Sequence, residues 1–155
     1  MTQVPITDVL SAHPFFRGLT PHAIDILAGC ATEVEFPAGA VIFKEGDAAD
    51  ACFLLTGGNV ALEIVVPGRG PHVVETLHAG EVLGWSWLFP PYRWTFDAET
   101  LIATRAIRFD GAELRKAKTA DKELGYELMI RFAQVLVDRL QATRLQLLDM
   151  YGNAG

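Results

Sequence analysis

The chain has 155 residues, enough for one domain with a substantial core, and half of them are hydrophobic. Its formal net charge is −6, and lysine and arginine are scattered along it, which argues against a protein that binds nucleic acid or an anionic membrane. The N-terminus lacks the basic start and long apolar run of a signal peptide, and no apolar stretch reaches transmembrane length. We therefore expect a single cytoplasmic domain over residues 1–155.

The first two thirds of the chain change from helical to extended character. Residues 6–30 are predicted to be a helical lead-in, in which Thr20-Pro21 is a typical helix start, a capping hydroxyl followed by proline. Residues 31–110 contain short apolar runs separated by turn signals, including Gly57-Gly58 and the segment PGRGPH. We interpret Gly57-Gly58 as the turn of a β-hairpin. Many short strands with regularly spaced turns predict an antiparallel barrel or sandwich.

Aromatic side chains are concentrated between residues 80 and 98, where six of the chain's fifteen lie within twelve positions. Gly84 and Pro90-Pro91 break any regular element there. Trp85, Trp87 and Trp94 carry too much apolar area to remain in water. The segment therefore forms either the wall of a pocket or a plug that fills the pocket from within, and the sequence leaves both readings open. Trp85 and Trp87 share a face if the segment is extended and diverge if it is helical.

Residues 111–151 are predicted to be helical. Asp110 or Gly111 opens a short helix, and Thr119 or Asp121 opens a long one. In the long helix, residues alternately three and four positions apart form a coiled-coil seam: Tyr126, Met129, Ala133, Leu136, Leu140, Thr143, Leu147 and Met150. A second stripe on another face comprises Leu128, Phe132 and Val135. One stripe can cover the chain's own sheet, so the other predicts a homodimer; the alternative is a helix buried on two sides within one domain.

Other residue clusters give no sign of catalysis. The acidic residues of KEGDAAD fit turn chemistry, the four histidines lack metal-ligand spacing, and no serine or cysteine has a nucleophile signature. Asp97 and Glu99 would lie on one side of a strand, but no histidine accompanies them. Cys30 and Cys52 have neither metal nor redox spacing and are expected to be free thiols. We expect a protein that is not an enzyme and that has no catalytic residue, metal or cofactor.

The order of elements and three stretches of sequence resemble the cyclic nucleotide-binding domain family. HPFFRGLTPHAIDILA resembles its opening helical turn, FPAGAVIFKEGDAADACFLLTGGNVALEI its most recognisable strands, and RLQATRLQ the dimer helix of the catabolite activator type. The resemblance covers residues 13–150. It implies a mainly β fold, an antiparallel, jelly-roll-like β-roll with flanking helices, followed by a long C-terminal dimer helix. The family's regulators add a helix-turn-helix after that helix, and we expect no DNA-binding domain and no nucleic-acid partner for this chain alone.

The segment GEVLG resembles the start of the family's phosphate-binding cassette. There, a glutamate after the second glycine accepts from the ribose, and a downstream arginine neutralises the phosphate; here those positions hold Trp85 and Trp94, with Arg93 one residue away. Thr143 stands where the family's dimer helix offers a hydroxyl to the adenine. The resemblance thus implies the candidate pocket residues Leu83, Gly84, Trp85, Ser86, Trp87, Arg93, Trp94, Thr95 and Thr143. A buried phosphate without a paired cation is costly, so ordinary cyclic AMP or cyclic GMP binding is not expected.

Three functions follow from this resemblance. The leading one is a stand-alone regulatory or sensor module with an altered cassette, which responds to an untypical small molecule or acts without a ligand. Events at residues 83–96 would then reposition the long helix. The alternatives are a true cyclic-nucleotide receptor that uses Arg93, backbone amides and Thr143, and a dimerisation scaffold with a self-filled pocket. The sequence does not specify a ligand or a further protein partner, and it predicts no membrane association.

Overall fold

The structure is a computed structural model that describes residues 4–152, including all of their side chains except those of Leu147 and residues 149–152. The helices are α1 (Ile6–Ala12), α2 (Pro21–Ala28), α3 (Gly111–Ala120) and α4 (Lys122–Gly152). The strands are β1 (Ala31–Phe36), β2 (Val41–Phe43), β3 (Ala51–Gly57), β4 (Asn59–Val66), β5 (Gly70–His78), β6 (Val82–Leu83), β7 (Asp97–Thr100) and β8 (Thr104–Asp110). Single 3-10 turns lie at Pro14–Phe16 and Ser86–Leu88.

The strands form two four-stranded sheets with the orders β1-β8-β3-β6 and β2-β7-β4-β5. Every pair of neighbouring strands is antiparallel. The expected antiparallel β-roll with flanking helices and a long C-terminal helix is confirmed. None of the helices in the described part of the chain is long and apolar enough to cross a membrane.

The predicted hairpin at Gly57-Gly58 is wrong, because β3 and β4 belong to different sheets. Gly58 has a φ of +90°, and a Cβ there would lie 2.6 Å from the Cα of Thr104. The glycine is therefore required by a close approach of two chain segments, where the chain passes from one sheet to the other. The PGRGPH turn is confirmed, since β4 and β5 pair along their whole length on either side of it.

The helix starts follow from side-chain capping. The Thr20 hydroxyl accepts a hydrogen bond from the Ala23 N–H at 3.2 Å. Asp110 accepts from Glu113 N–H at 2.9 Å, and Asp121 accepts from Leu124 N–H at 3.1 Å. Each oxygen satisfies one of the N–H groups that the first turn of a helix leaves without a partner. Asp110 and Asp121 are thus the residues that open α3 and α4.

Two apolar clusters lie on the two faces of the sheet that contains β3. The helical core lies between this sheet and the helices, and it includes Cys52, Leu54, Trp87, Phe109, Leu128 and Phe132. The roll core lies between the two sheets, and it includes Phe43, Phe53, Leu55, Leu62, Leu83 and Trp94. Successive residues of β3 alternate between the two cores, because side chains of a strand point to opposite faces. Both faces are buried, so β3 is an apolar run without polar alternation.

Candidate functional site

The aromatic segment, residues 84–96, connects β6 to β7 and enters both cores. Its 3-10 turn at Ser86–Leu88 makes Trp85 and Trp87 diverge. Trp87 is fully buried in the helical core, where its ring meets the edge of Phe132 at a centroid distance of 5.4 Å. Trp85 is half-buried and packs edge-on against Phe96. Trp87 is therefore a core residue and does not line the cassette.

Trp94 occupies the interior of the roll next to the cassette. Its ring is 5% exposed and stacks on Phe43 with a centroid distance of 3.7 Å and an interplanar angle of 5°. Gly84 has a φ of +98°, and a Cβ there would lie 2.7 Å from ring carbons of Trp94. The indole therefore lies directly against the Gly84 backbone. The glycine is needed both for its backbone conformation and for this contact.

The cavity that remains at the cassette has a volume of about 10 Å³. A single water molecule needs about 10–15 Å³ on the same measure. The cavity is lined by Phe43, Leu62, Leu83, Gly84, Trp85, Ser86, Trp94, Thr95, Phe96 and Arg139. The structure thus brings six of the nine predicted pocket residues together, and their side chains and neighbours fill the space between them.

Three predicted pocket residues do not line this cavity: Trp87, Arg93 and Thr143. Arg93 is exposed, and its Nη1 donates to the Gly46 carbonyl at 2.8 Å, on the side of the turn after β2. Thr143 is exposed, and its hydroxyl donates to the Arg139 carbonyl of its own helix at 2.9 Å. Within this chain, neither side chain lines the cavity, and both make their hydrogen bonds outside it.

Arg139 of α4 also lines this cavity and places a positive charge beside it, although we did not predict it as a site residue from the sequence. Its Nη2 donates to the Val82 carbonyl at 2.7 Å, and its Nε lies 3.4 Å from a carboxylate oxygen of Glu75. The guanidinium also lies over the Trp85 ring, 4.5 Å from the ring centroid. A signal was present, because Arg139 continues the apolar stripe of Leu128, Phe132 and Val135 at the same helical spacing.

Arg139 and Glu75 form an ion pair that is partly shielded from solvent. Burial lowers the pKa of Arg139, and the nearby carboxylates of Glu75 and Glu81 partly offset that effect. Burial raises the pKa of Glu75, with Arg139 lowering it and Glu81 raising it. Nη1 of Arg139 is buried and has no hydrogen-bond partner among the described residues. Such a pair is costly to desolvate, and removing one partner leaves the other charge uncompensated.

The opposite face of α4 presents apolar side chains to solvent. Tyr126 is 65% exposed and Leu140 is 55% exposed, and Met129, Ile130 and Val137 are exposed beside them. Of the other predicted seam residues, Ala133 and Thr143 are exposed and Leu136 is half-buried, while Leu147 and Met150 lie outside the described side chains. The second stripe, by contrast, packs inwards, with Leu128 and Phe132 buried in the helical core.

A β-roll of two antiparallel sheets with a cassette and a long following helix defines a class of small-molecule regulatory domains, and comparison with known proteins identifies the family. The model of the cyclic nucleotide-binding domain matches residues 33–121, more than half of the chain. The chain therefore belongs to the cyclic nucleotide-binding domain family, and the resemblance seen in the sequence is confirmed.

The relatives support the same assignment. The chain is 27% identical over 143 residues to a CRP-like cAMP-activated global transcriptional regulator of Mycobacterium tuberculosis, covering 92% of this chain and 62% of that protein. A candidate cyclic nucleotide-binding protein from Geobacter metallireducens is 32% identical with a TM-score of 0.79, covering 90% of this chain and 99% of that chain. The catabolite activator protein of Thermus thermophilus shares the fold, with a TM-score of 0.70, 24% identity, and coverage of 90% and 63%. The chain thus spans less than two thirds of the curated regulator it matches.

Proposed function

We propose that this chain is a regulatory domain of the cyclic nucleotide-binding family whose cassette is closed by its own tryptophans. In this proposal it does not respond to cyclic AMP or cyclic GMP, and it acts through the position of α4 and through self-association. The observation that carries the proposal is the Trp94 indole, which is stacked on Phe43 and pressed against Gly84.

A nucleotide in the cassette would have to displace that indole. Removing a large aromatic side chain from a core costs about 3–5 kcal/mol, and moving Trp94 into solvent forfeits a comparable packing energy. A micromolar site corresponds to about −8 kcal/mol, so a loss of 3 kcal/mol weakens it more than a hundredfold. Displacement of Trp94 alone would therefore raise the dissociation constant of an otherwise micromolar site above about 100 μM.

The charged groups near the cassette also argue against binding of a cyclic nucleotide. Arg93 is turned outwards to the Gly46 carbonyl, and Arg139 is already engaged by Glu75 and Val82. A cyclic phosphate would have to compete with the Glu75 carboxylate for Arg139. Desolvating the phosphate without a committed cation costs several kcal/mol.

Isothermal titration calorimetry with cyclic AMP and cyclic GMP tests this proposal. We expect no binding with a dissociation constant below about 100 μM for either nucleotide. The cAMP-activated regulator of M. tuberculosis, which the chain resembles, is the positive control under the same conditions. A micromolar isotherm with either nucleotide would overturn the closed cassette and favour the receptor that uses Arg93, backbone amides and Thr143.

For the output of the domain, we propose a homodimer through the exposed apolar face of α4. The support is that this face carries the seam spacing of 3.5 residues and is uncovered in one chain, whereas the second stripe is buried within it. A contiguous apolar stripe of this kind is typical of an interaction surface. A second copy of the chain fits this face because its own α4 carries apolar residues at the same spacing.

Leu140→Asp tests this assembly by placing a carboxylate in the seam. Sedimentation at tens of micromolar protein should give dimers for the parent and monomers for the variant, while circular dichroism stays unchanged because Leu140 is exposed in one chain. Gln141→Asp is the matched control, since it puts the same charge one residue further along an exposed face of α4. A monomeric parent, or equal dissociation in both variants, would contradict the dimer.

A further inference from the structure

The half of α4 beyond Phe132 is supported at few points. A groove of about 730 Å³ separates this part of the helix from the Pro14–Phe16 turn and from the segment between β5 and β6. Its apolar walls include Phe15, Val82, Ile130, Val135 and Ala142. A groove of this size means that apolar packing does not fix the helix here, because the contacts that would do so are missing along one side.

Two arginines of α4 hold hydrogen bonds to the groove's opposite wall. Arg131 donates to the carbonyls of Phe15 and Arg17, at 2.9 Å and 2.7 Å, and so ties the middle of the helix to the N-terminal turn. Arg139, two turns further on, bonds Val82 and pairs with Glu75. In the described part of the chain, Arg139 is the last side chain of α4 with a hydrogen bond to the roll.

The helix continues for thirteen residues after Arg139, to Gly152. At 1.5 Å per residue this is a projection of about 20 Å. Side chains 140–146 and 148 are all exposed. A small rotation about the last attachment point therefore moves the end of the helix by several ångströms, and the direction of the exposed apolar face depends on Arg139.

We propose that Arg139 is a positioning residue that fastens α4 to the cassette from within the chain. It joins the helix to β5 through Glu75, to β6 through the Val82 carbonyl and to the cassette through the Trp85 ring. This contact sets the direction of the distal helix, and hence of its apolar face, without any ligand. The inference rests on the proposed function only in that the cassette is closed.

Planar geometry explains why an arginine performs this task. The guanidinium presents donors in a fixed fork and a flat face that stacks on an aromatic ring, so one side chain makes all three contacts together. A lysine at this position would keep the positive charge, but it would lose the planar group that stacks on the aromatic ring and the fixed arrangement of its donors. Because the Arg139 side chain is 13% exposed and that of Glu75 is 33% exposed, salt should screen this contact less than it screens an ion pair on the open surface.

Amide hydrogen exchange of the full chain tests the proposal. In Arg139→Gln, exchange of the α4 amides at 136–144 should accelerate about tenfold or more, while the central amides of β3 and β8 accelerate only as far as global stability falls. Arg139→Lys should show a smaller acceleration at the same amides. Arg144→Gln is the matched control, because Arg144 is an exposed arginine of the same helix and should leave exchange unchanged.

A double-mutant cycle shows whether Arg139 acts through Glu75. Glu75→Ala should accelerate exchange at 136–144 in the parent and have little further effect in Arg139→Gln. The proposal is overturned if the distal amides of Arg139→Gln exchange within twofold of the parent, if they accelerate equally with β3 and β8, or if the two substitutions act additively. Calorimetry with cyclic nucleotides tests the closed cassette separately, so the two failures are distinguishable.

Discussion

The two cores are filled to different degrees on the two sides of the same sheet. In the roll core the aromatic segment leaves about 10 Å³, with Trp94 stacked between Phe43 and Gly84. On the helical side a groove of about 730 Å³ lies under α4, a charged pair is half-buried, and an apolar face is uncovered. A filled core resists displacement, whereas a helix held by a few polar contacts can move. Any conformational response of this domain should therefore start on the helical side.

The largest expected loss of stability comes from removing an aromatic ring from the roll core. Trp94→Ala removes a ring that is 5% exposed, and we expect a loss of about 3–5 kcal/mol in the free energy of unfolding, measured by urea denaturation. Phe89→Ala is the control, because Phe89 belongs to the same segment but is exposed. A cost below about 1 kcal/mol for Trp94→Ala would mean that the ring does not fill the roll and that the two sides of the sheet do not differ in packing as described.

A second substitution tests the position of the ring itself. Gly84→Ala combines a positive φ with a Cβ only 2.7 Å from the Trp94 ring. We expect a destabilisation of about 2–3 kcal/mol, from backbone strain together with overpacking. Gly46→Ala has a similar φ of +90° with no atom within 4 Å of the new Cβ, so the difference between the two variants isolates the clash. Equal costs for the two variants would place the ring elsewhere.

Trp85→Ala is expected to cost less, about 1 kcal/mol, because Trp85 is half-buried at the boundary of the two sides. Its contacts are an edge-on approach to Phe96 and the stacked guanidinium of Arg139. The cation–π part accounts for about 0.5–1 kcal/mol of that cost. Urea denaturation of Trp85→Ala in the Arg139→Gln background should show a smaller increment. An unchanged increment would remove Trp85 from the contact that positions α4.

Much of the fold could be predicted because its signals are local. The capping residues Thr20, Asp110 and Asp121 lie next to the helices they open, and the apolar stripe of α4 can be read from spacing alone. The hairpin at Gly57-Gly58 was wrong because a glycine pair marks a turn without indicating which sheet the next strand joins. Arg139 was missed because its acceptor, Val82, is 57 residues away and only the tertiary structure brings them together.

The site could be predicted only in part for a related reason. The candidates near Gly84 lie in one continuous segment, and most of them line the cavity. The orientation of Arg93 depends instead on the pairing of residues 92–94 with the turn at 46–49, where Trp94 N–H donates to the Asp47 carbonyl and Ala49 N–H to the Tyr92 carbonyl. Such long-range pairing decides which of two adjacent residues faces inwards, and alternation in a short run cannot assign it.

The smallest expected effect is a change of stability with pH, and it should arise on the helical side of the sheet. His13 is buried; its Nδ1 accepts from the Phe15 N–H at 3.2 Å and its Nε2 lies 3.3 Å from the Leu55 carbonyl, which together fix the neutral ring with the proton on Nε2. Burial lowers the pKa of His13. Between the lowered value and the ordinary value of about 6.5, the unfolded chain binds a proton that the folded chain does not, so stability falls as pH drops through this window.

We therefore expect urea denaturation to show a loss of stability for the parent between pH 7.5 and pH 5.5, and a smaller loss for His13→Asn. Asparagine keeps an acceptor for the Phe15 N–H and does not titrate. Glu75 acts with the opposite sign, because its raised pKa favours the folded chain as protons are added, but it is common to both proteins and cancels in the difference. His72→Asn is the control, since it makes the same substitution at an exposed histidine. If His13→Asn and His72→Asn lose stability equally on acidification, His13 does not link the helical side to pH, and the charged groups around α4 must be tested next.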